Sequence, residues 1–225
     1  MTTPPSTIAE QAQATFAARA ATMPAEVSSV FAAEQAALDA RGVPTGVATP
    51  GTRMPDVELV DVNCEPTTLA RMRGGRPAVV VLYRGAWCPY CNIALRTYQA
   101  ELVPALDERG VALIAVSPQK PDGSMSAVEV NELTFAVASD PGNQIAVALG
   151  VETRPSADAV AAQISRGLDL SERNADGQTN LPMPTVVVLD NTGVIRWTDV
   201  HPKYLTRSEV PDILAAVDAM EPTHV

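Results

Sequence analysis

An apolar run from Ala78 to Tyr83 breaks at Arg84-Gly85-Ala86-Trp87 and gives way to Cys88-Pro89-Tyr90-Cys91 at the head of a helical pattern. An unbroken apolar run reads as a strand covered on both faces. Leu95, Tyr98, Leu102 and Leu106 then fall on one side of a helix, in which Pro104 predicts a kink or a break. A second apolar run, Val111 to Val116, follows. Strand, helix, strand in this order predicts parallel pairing through a right-handed crossover.

The flanks extend this α/β reading. Val57–Val60 and Phe135–Ala138 read as short strands, and Asp140-Pro141-Gly142 caps a helix running to about Leu149. Thr185–Leu189 and Val194–Thr198 read as a hairpin, with turn residues Asp190, Asn191, Thr192 and Gly193 between them. A last helix is expected from about Ser208 to Met220. Residues 151–181 read as a polar, irregular insertion with a helix near Ala157–Arg166. Ahead of everything lies an Ala- and Gln-rich segment with helices predicted over 8–21 and from Pro24 to Gly42. The expected division is an N-terminal helical arm over 1–45 and a main domain over 46–225. The arm has two readings, a helix pair packed on the domain's own sheet or a homodimer contact.

The Cys-x-x-Cys lies where a strand ends and a helix begins. The first helical turn leaves backbone N–H groups unpaired and carries the positive end of the helix dipole. A sulfur there is favoured as thiolate, below the free value of about 8.5. Arg84 adds positive charge, Pro89 needs no amide hydrogen in the first turn, and Trp87 shields the thiol. Two intervening residues let the sulfurs meet within one turn, so Cys88 and Cys91 are expected to form a disulfide. Cys88, nearest the helix start, is expected to be partly exposed, the more acidic of the two and the first alkylated. Cys64 reads as a spare thiol, with a resolving role as the other reading. His201 reads as a surface loop residue. A zinc site would need two more ligands, and Cys64, His201 and His224 lack paired spacing. Pro184, opening the strand that starts at Thr185, is expected to be cis and to face the sulfurs.

Composition narrows the partners. A formal charge of −10 repels phosphate backbones, so no nucleic acid is expected. No stretch approaches the ~20 apolar residues of a membrane helix, and the start, Met-Thr-Thr-Pro-Pro-Ser, lacks a signal-peptide pattern. Cytoplasmic residence is expected. Three cysteines do not make a structural disulfide framework.

Taken together, Tyr83 to Cys91, Val116-Ser117-Pro118-Gln119, Ser139-Asp140-Pro141-Gly142-Asn143 and Leu181-Pro182-Met183-Pro184-Thr185 resemble the peroxiredoxin-like branch of the alkyl hydroperoxide reductase/thiol-specific antioxidant (AhpC/TSA) superfamily. The resemblance runs from about Pro24 to Ala219. It implies a thioredoxin-like fold, a central mixed sheet flanked by helices. It also implies no cofactor, a hydroperoxide or disulfide substrate, and electrons from a thioredoxin-like reductant. Cys88 and Cys91 are its catalytic pair, with Trp87, Arg84, Pro184 and Thr185 in support. Two positions depart from the pattern. Cys88 stands where the family carries Thr three residues before the peroxidatic cysteine, and Arg84 stands where it carries Pro. In that register Cys91 is the peroxidatic position. The family's arginine near the strand after the insertion is missing around Pro184. Thiol peroxidase, protein disulfide oxidoreductase and a non-catalytic binding module are the three readings.

Overall fold

The computed structural model describes residues 6–121, 128 and 131–220; His224 lies outside them. The strands are β1 (Glu58–Asp61), β2 (Pro66–Thr68), β3 (Ala78–Leu82), β4 (Ala112–Ser117), β5 (Ala136–Ser139), β6 (Glu152–Thr153), β7 (Leu181–Pro182), β8 (Thr185–Leu189) and β9 (Ile195–Val200). The helices are α1 (Ile8–Ala20), α2 (Ala25–Arg41), α3 (Leu69–Arg73), α4 (Pro89–Thr97), α5 (Val103–Glu108), α6 (Gln144–Leu149), α7 (Ala157–Ser165), α8 (Leu170–Arg173) and α9 (Val210–Asp218).

Seven strands form one mixed sheet in the order β2-β1-β5-β4-β3-β8-β9. β3, β4 and β5 run parallel, while β8 lies antiparallel to β3 and β9 antiparallel to β8. The apolar runs behave as their composition demands. Every residue of β3, β4 and β8 is buried, and alternate side chains serve two cores. Val79, Val81, Leu113, Ala115 and Val188 meet α1, α4 and α9 on one face. Val80, Leu82, Ile114, Val116 and Val187 meet Leu38 of α2, Leu69 of α3 and Ile145 of α6 on the other. Each such valine or leucine is worth about 1.5–3 kcal/mol, which makes the central strands a rigid platform for the loop leaving β3.

The α-helix is interrupted just ahead of Pro104, as that proline predicts. α4 passes through a π turn, Tyr98–Leu102, into α5, where the proline occupies the first turn and no donor is missed. Cys64 sits in the turn between β1 and β2 with φ 66°. The short pair β6–β7 and helix α3 were not expected from the sequence, because two- to five-residue elements carry too few positions to show a period.

The arm folds back onto helices of the main domain. α1 has a Thr7–Glu10 capping box and buries Ile8 and Ala12 against α4. Its first backbone N–H groups, Ile8 and Ala9, donate to the Glu209 carboxylate at 3.1 and 2.9 Å. α2 packs on α7, so the arm and the 151–181 insertion touch. Among the described residues no helix is long and apolar enough to cross a membrane.

Candidate active site

The loop from β3 to α4 is built around one glycine. Gly85 has φ 145°, and a Cβ there would lie 2.3 Å from Trp87 Nε1 and 2.7 Å from Gln119 Oε1. Only glycine allows both the backbone angle and this approach. Gln119 accepts the Ala86 N–H at 2.7 Å, and Asn92 Nδ2 donates to Ala86 O at 2.8 Å. The corner is thus clamped from the segment after β4 and from α4. Cys88 is the N-cap of α4, Pro89 follows it in the first turn, and Cys91 lies within that turn.

Both sulfurs are buried, Cys88 and Cys91 each being 1 % exposed. The expectation of a partly exposed Cys88 fails because Trp87, Tyr90 and Tyr204 crowd the helix start, with Arg84 stacked over the rings of Trp87 and Tyr204 at 5.0 and 5.4 Å.

The residue that decides the electrostatics was not foreseen. Arg207, 8 % exposed, donates from Nη2 to Cys91 Sγ at 3.0 Å and lies 3.8 Å from Cys88 Sγ. Burial alone would raise the Cys91 thiol. The hydrogen bond from Cys88, the charge of Arg207 and the Arg84 backbone N–H outweigh it, and hold Cys91 well below the usual thiol range. Burial pushes Cys88 well above that range, reinforced by the hydrogen bond and charge of Cys91; Arg84 and Arg207 offset only part of it. The expected order of acidity is therefore reversed. Proximity to the helix start favours Cys88, but a buried guanidinium in contact with one sulfur outweighs the partial charge of a helix end.

Arg207 is fixed by its own segment. Nη1 donates to Tyr204 O at 2.7 Å and Thr206 O at 2.5 Å. The next residue, Ser208, gives its carbonyl to Tyr98 Oη–H at 2.7 Å and its hydroxyl hydrogen to Asp199 Oδ2 at 2.7 Å. His201 Nε2 is 2.9 Å from Asp199 Oδ2, and Nδ1 is 2.8 Å from Thr206 Oγ1. The His201 contact, and after it Ser208, keep Asp199 below the usual carboxylate range despite partial burial. His201 is thus a half-buried clip rather than a free surface residue.

The remaining predicted residues divide. The peptide before Pro184 is trans, since no cis bond occurs among the described residues. The cis expectation is overturned: Met183 is anchored through its own N–H to Val151 O and through its carbonyl by the Thr185 hydroxyl, and an ordinary trans bond satisfies both. Pro184 and Cys88 both line one cavity, whereas Thr185 does not. Trp87 lines that cavity too, its buried Nε1 without a partner among the described atoms. Cys64 is free and exposed.

An arginine ahead of a C-terminal helix, in a chain with only 16 basic residues, was the available signal for Arg207. Nothing local in Leu205-Thr206-Arg207-Ser208 marks it, because the sulfurs it meets lie at the start of α4, more than a hundred residues away.

The AhpC/TSA family model matches residues 50–198, which covers both cysteines and stops short of Arg207. A candidate peroxiredoxin of Mycobacterium tuberculosis is 29 % identical over 102 residues, 45 % of this chain and 64 % of that protein. The thiol-disulfide oxidoreductase ResA of Bacillus cereus is 29 % identical over 107 residues, 47 % of this chain and 60 % of that protein. The chain thus spans less than two thirds of the length of these curated relatives. Reduced Prx3 of Vibrio vulnificus in complex with hydrogen peroxide has a TM-score of 0.61 at 21 % identity, over 76 % of this chain and 99 % of that one. Peroxidoxin BcpB of Mycobacterium tuberculosis has a TM-score of 0.58 at 18 % identity, over 77 % and 98 %. The fold is the thioredoxin fold of those structures, and the chain belongs to the AhpC/TSA family.

Proposed function

We propose that the protein is a thiol peroxidase in which Cys91 is the attacking thiolate, Cys88 its resolving partner and Arg207 the fixed counter-ion. The observation that carries this reading is the 3.0 Å contact from Arg207 to Cys91 Sγ. The Cys91 thiolate attacks the outer oxygen of a hydroperoxide and the O–O bond breaks. Cys91 becomes a sulfenic acid, and the departing oxygen leaves as an alcohol or water after taking a proton. Arg207 serves twice: it lowers the thiol's pKa, and it stays beside the negative charge as that charge moves from sulfur to oxygen. Cys88, in the position where the resemblance expects Thr, hydrogen-bonds the thiolate. Its sulfur then attacks the sulfenic acid, releasing water and forming the Cys88–Cys91 disulfide. An external thiol reductant, given by the resemblance as a thioredoxin-type protein, returns both sulfurs to the reduced state. Because Cys91 is buried and absent from the cavity wall, hydrogen peroxide should react faster than bulky organic hydroperoxides.

Protein disulfide exchange is the second reading, and one observation favours it: the cavity ends on Cys88. The raised pKa and burial of that sulfur count against it as an attacking group. Stopped-flow consumption of hydrogen peroxide by the reduced protein, set beside insulin reduction, separates the two. Peroxide consumption is expected to survive Cys88→Ser, with a dimedone-trapped sulfenic acid at Cys91, and to vanish in Cys91→Ser. Insulin reduction without peroxide consumption would replace the first reading with the second.

A further inference from the structure

We infer that the oxidised pair is reduced by a small peptide-like thiol carrying carboxylates, received in the cavity between the N-terminal arm and the 151–181 insertion. The inference deepens the peroxidase reading, taking from it only the Cys88–Cys91 disulfide as the oxidised state.

The cavity has a volume of about 360 Å³, within the roughly 300–1,000 Å³ of small-molecule sites. Besides Cys88 and its neighbours, the lining comes from α1, α2, α7 and the residues after α7, which the redox chemistry does not use. Cys88 lies on its wall and Cys91 does not. A nucleophile arriving here meets the Cys88 sulfur. A protein donor would have to bring its own thiol past two helices of the arm to a residue 1 % exposed.

Charge and hydrogen bonding narrow the occupant. Arg19, Arg84, Arg166 and Arg173 line the space against one carboxylate, Glu34. The Glu34 carboxylate already accepts the Ser156 N–H at 3.2 Å. None of the four guanidinium groups has an ion-pair partner among the described residues. This local excess of positive charge sits in a chain of net charge −10, so it collects anions where the rest of the surface repels them. Gln163, 8 % exposed, also lines the space, and its Oε1 has no partner among the described atoms. A buried acceptor left open calls for an N–H donor. Carboxylate, N–H and thiol together describe a cysteine-containing small peptide.

The chemistry balances. The peptide thiolate attacks Cys88 Sγ, the Cys88–Cys91 bond breaks, and Cys91 leaves as a thiolate beside Arg207. A leaving sulfur of low pKa departs faster, which suits the acidity assigned to Cys91. A second peptide thiolate then attacks the peptide sulfur of the mixed disulfide. Cys88 is released and takes a proton, and the two peptides leave as their disulfide. Two electrons pass to the protein, the number its oxidation removed.

The test starts from protein oxidised with diamide, so it does not depend on peroxide being the oxidant. Reduction is followed by free-thiol release with glutathione, glutathione diethyl ester, and thioredoxin kept reduced by its reductase. Glutathione, with two carboxylates, is expected to outpace the diethyl ester, which has none and keeps only its ammonium group, by about tenfold, the worth of one or two ion pairs. In Arg19→Ala/Arg166→Ala, two exposed positions, the two rates should converge to within about threefold. Thioredoxin at equal concentration should be no faster than glutathione. A glutathione-to-ester ratio near one in the parent protein overturns the inference, as do a ratio unchanged in the double variant, faster reduction by thioredoxin, or failure of diamide to join Cys88 and Cys91. Inertness toward peroxide together with the tenfold preference would instead remove the peroxidase reading and keep this one.

Discussion

The two segments that meet at the sulfurs are made in opposite ways. The corner from Tyr83 to Cys91 is contiguous, and its geometry follows from a glycine, a proline and a helix start that are neighbours in sequence. The 199–209 segment has no such grammar. It is held by Tyr98 from the π turn and by the backbone of α1, and braced internally by the Asp199–Ser208 bond, and through these ties it aims one guanidinium. The corner brings the two thiols together. The segment decides which of them is a thiolate. Position along a helix and acidity are thus separate properties here, set by different parts of the chain.

The sharpest way to break this division is Arg207→Ala. With the guanidinium present, the Cys91 pKa lies below its ordinary value, so the thiolate exists at neutral pH and the peroxide rate should be flat above it. Without it the pKa rises, the thiolate fraction at pH 7 falls, and reactivity returns as pH is raised. The expected loss at pH 7 is about 100-fold, the order of removing one donor to a developing negative charge, read by stopped-flow rates across pH. A variant as fast and as flat as the parent would show that the corner alone sets acidity.

Gly85→Ala attacks the other side. Its Cβ would collide with Trp87 and Gln119 at a φ that side chains rarely adopt, at a cost of about 2 kcal/mol or more. Thermal melting should show the loss, and iodoacetamide should reach the cysteines faster as the corner opens. A melting temperature equal to the parent's would mean the corner has slack that the structure does not show.

Asp199→Asn keeps the shape of the clip but loosens its hold on Ser208 and His201. A net hydrogen bond is worth about 1 kcal/mol, so Cys91 reactivity at pH 7 should drop about fivefold, with the pH profile displaced upward. An unmoved profile beside a lowered melting temperature would make the clip structural only. The smallest effect is expected from Glu209→Gln. Losing a carboxylate at the start of α1 costs about 0.5 kcal/mol, visible as faster amide exchange over the first turn of that helix.

Legibility followed the same boundary. β3, β4, β8 and the motif were readable because each carries its signal within a few residues. A break near Pro104 is legible from the proline itself, whereas the π turn that makes it is not. Cys88 was given the lower pKa because a helix start is visible in a sequence, whereas a guanidinium arriving from beyond β9 is not. The insertion and the arm gave no functional sign because neither has one alone. They become a cavity only when α2 and α7 touch. Cis Pro184 was expected by analogy with thioredoxin-like proteins, and the hydrogen bonds of Met183 and Thr185 are satisfied without it.

Glu209 stands two places from Arg207 and grips the opening turn of α1. In the language of linked equilibria, the seating of the arm and the release of a proton from Cys91 share one strip of chain. Such exchange is symmetric by thermodynamic necessity. Whatever free energy a seated arm lends to the thiolate, the thiolate returns in full by tightening the arm, and oxidation of that sulfur, which erases its charge, withdraws the loan.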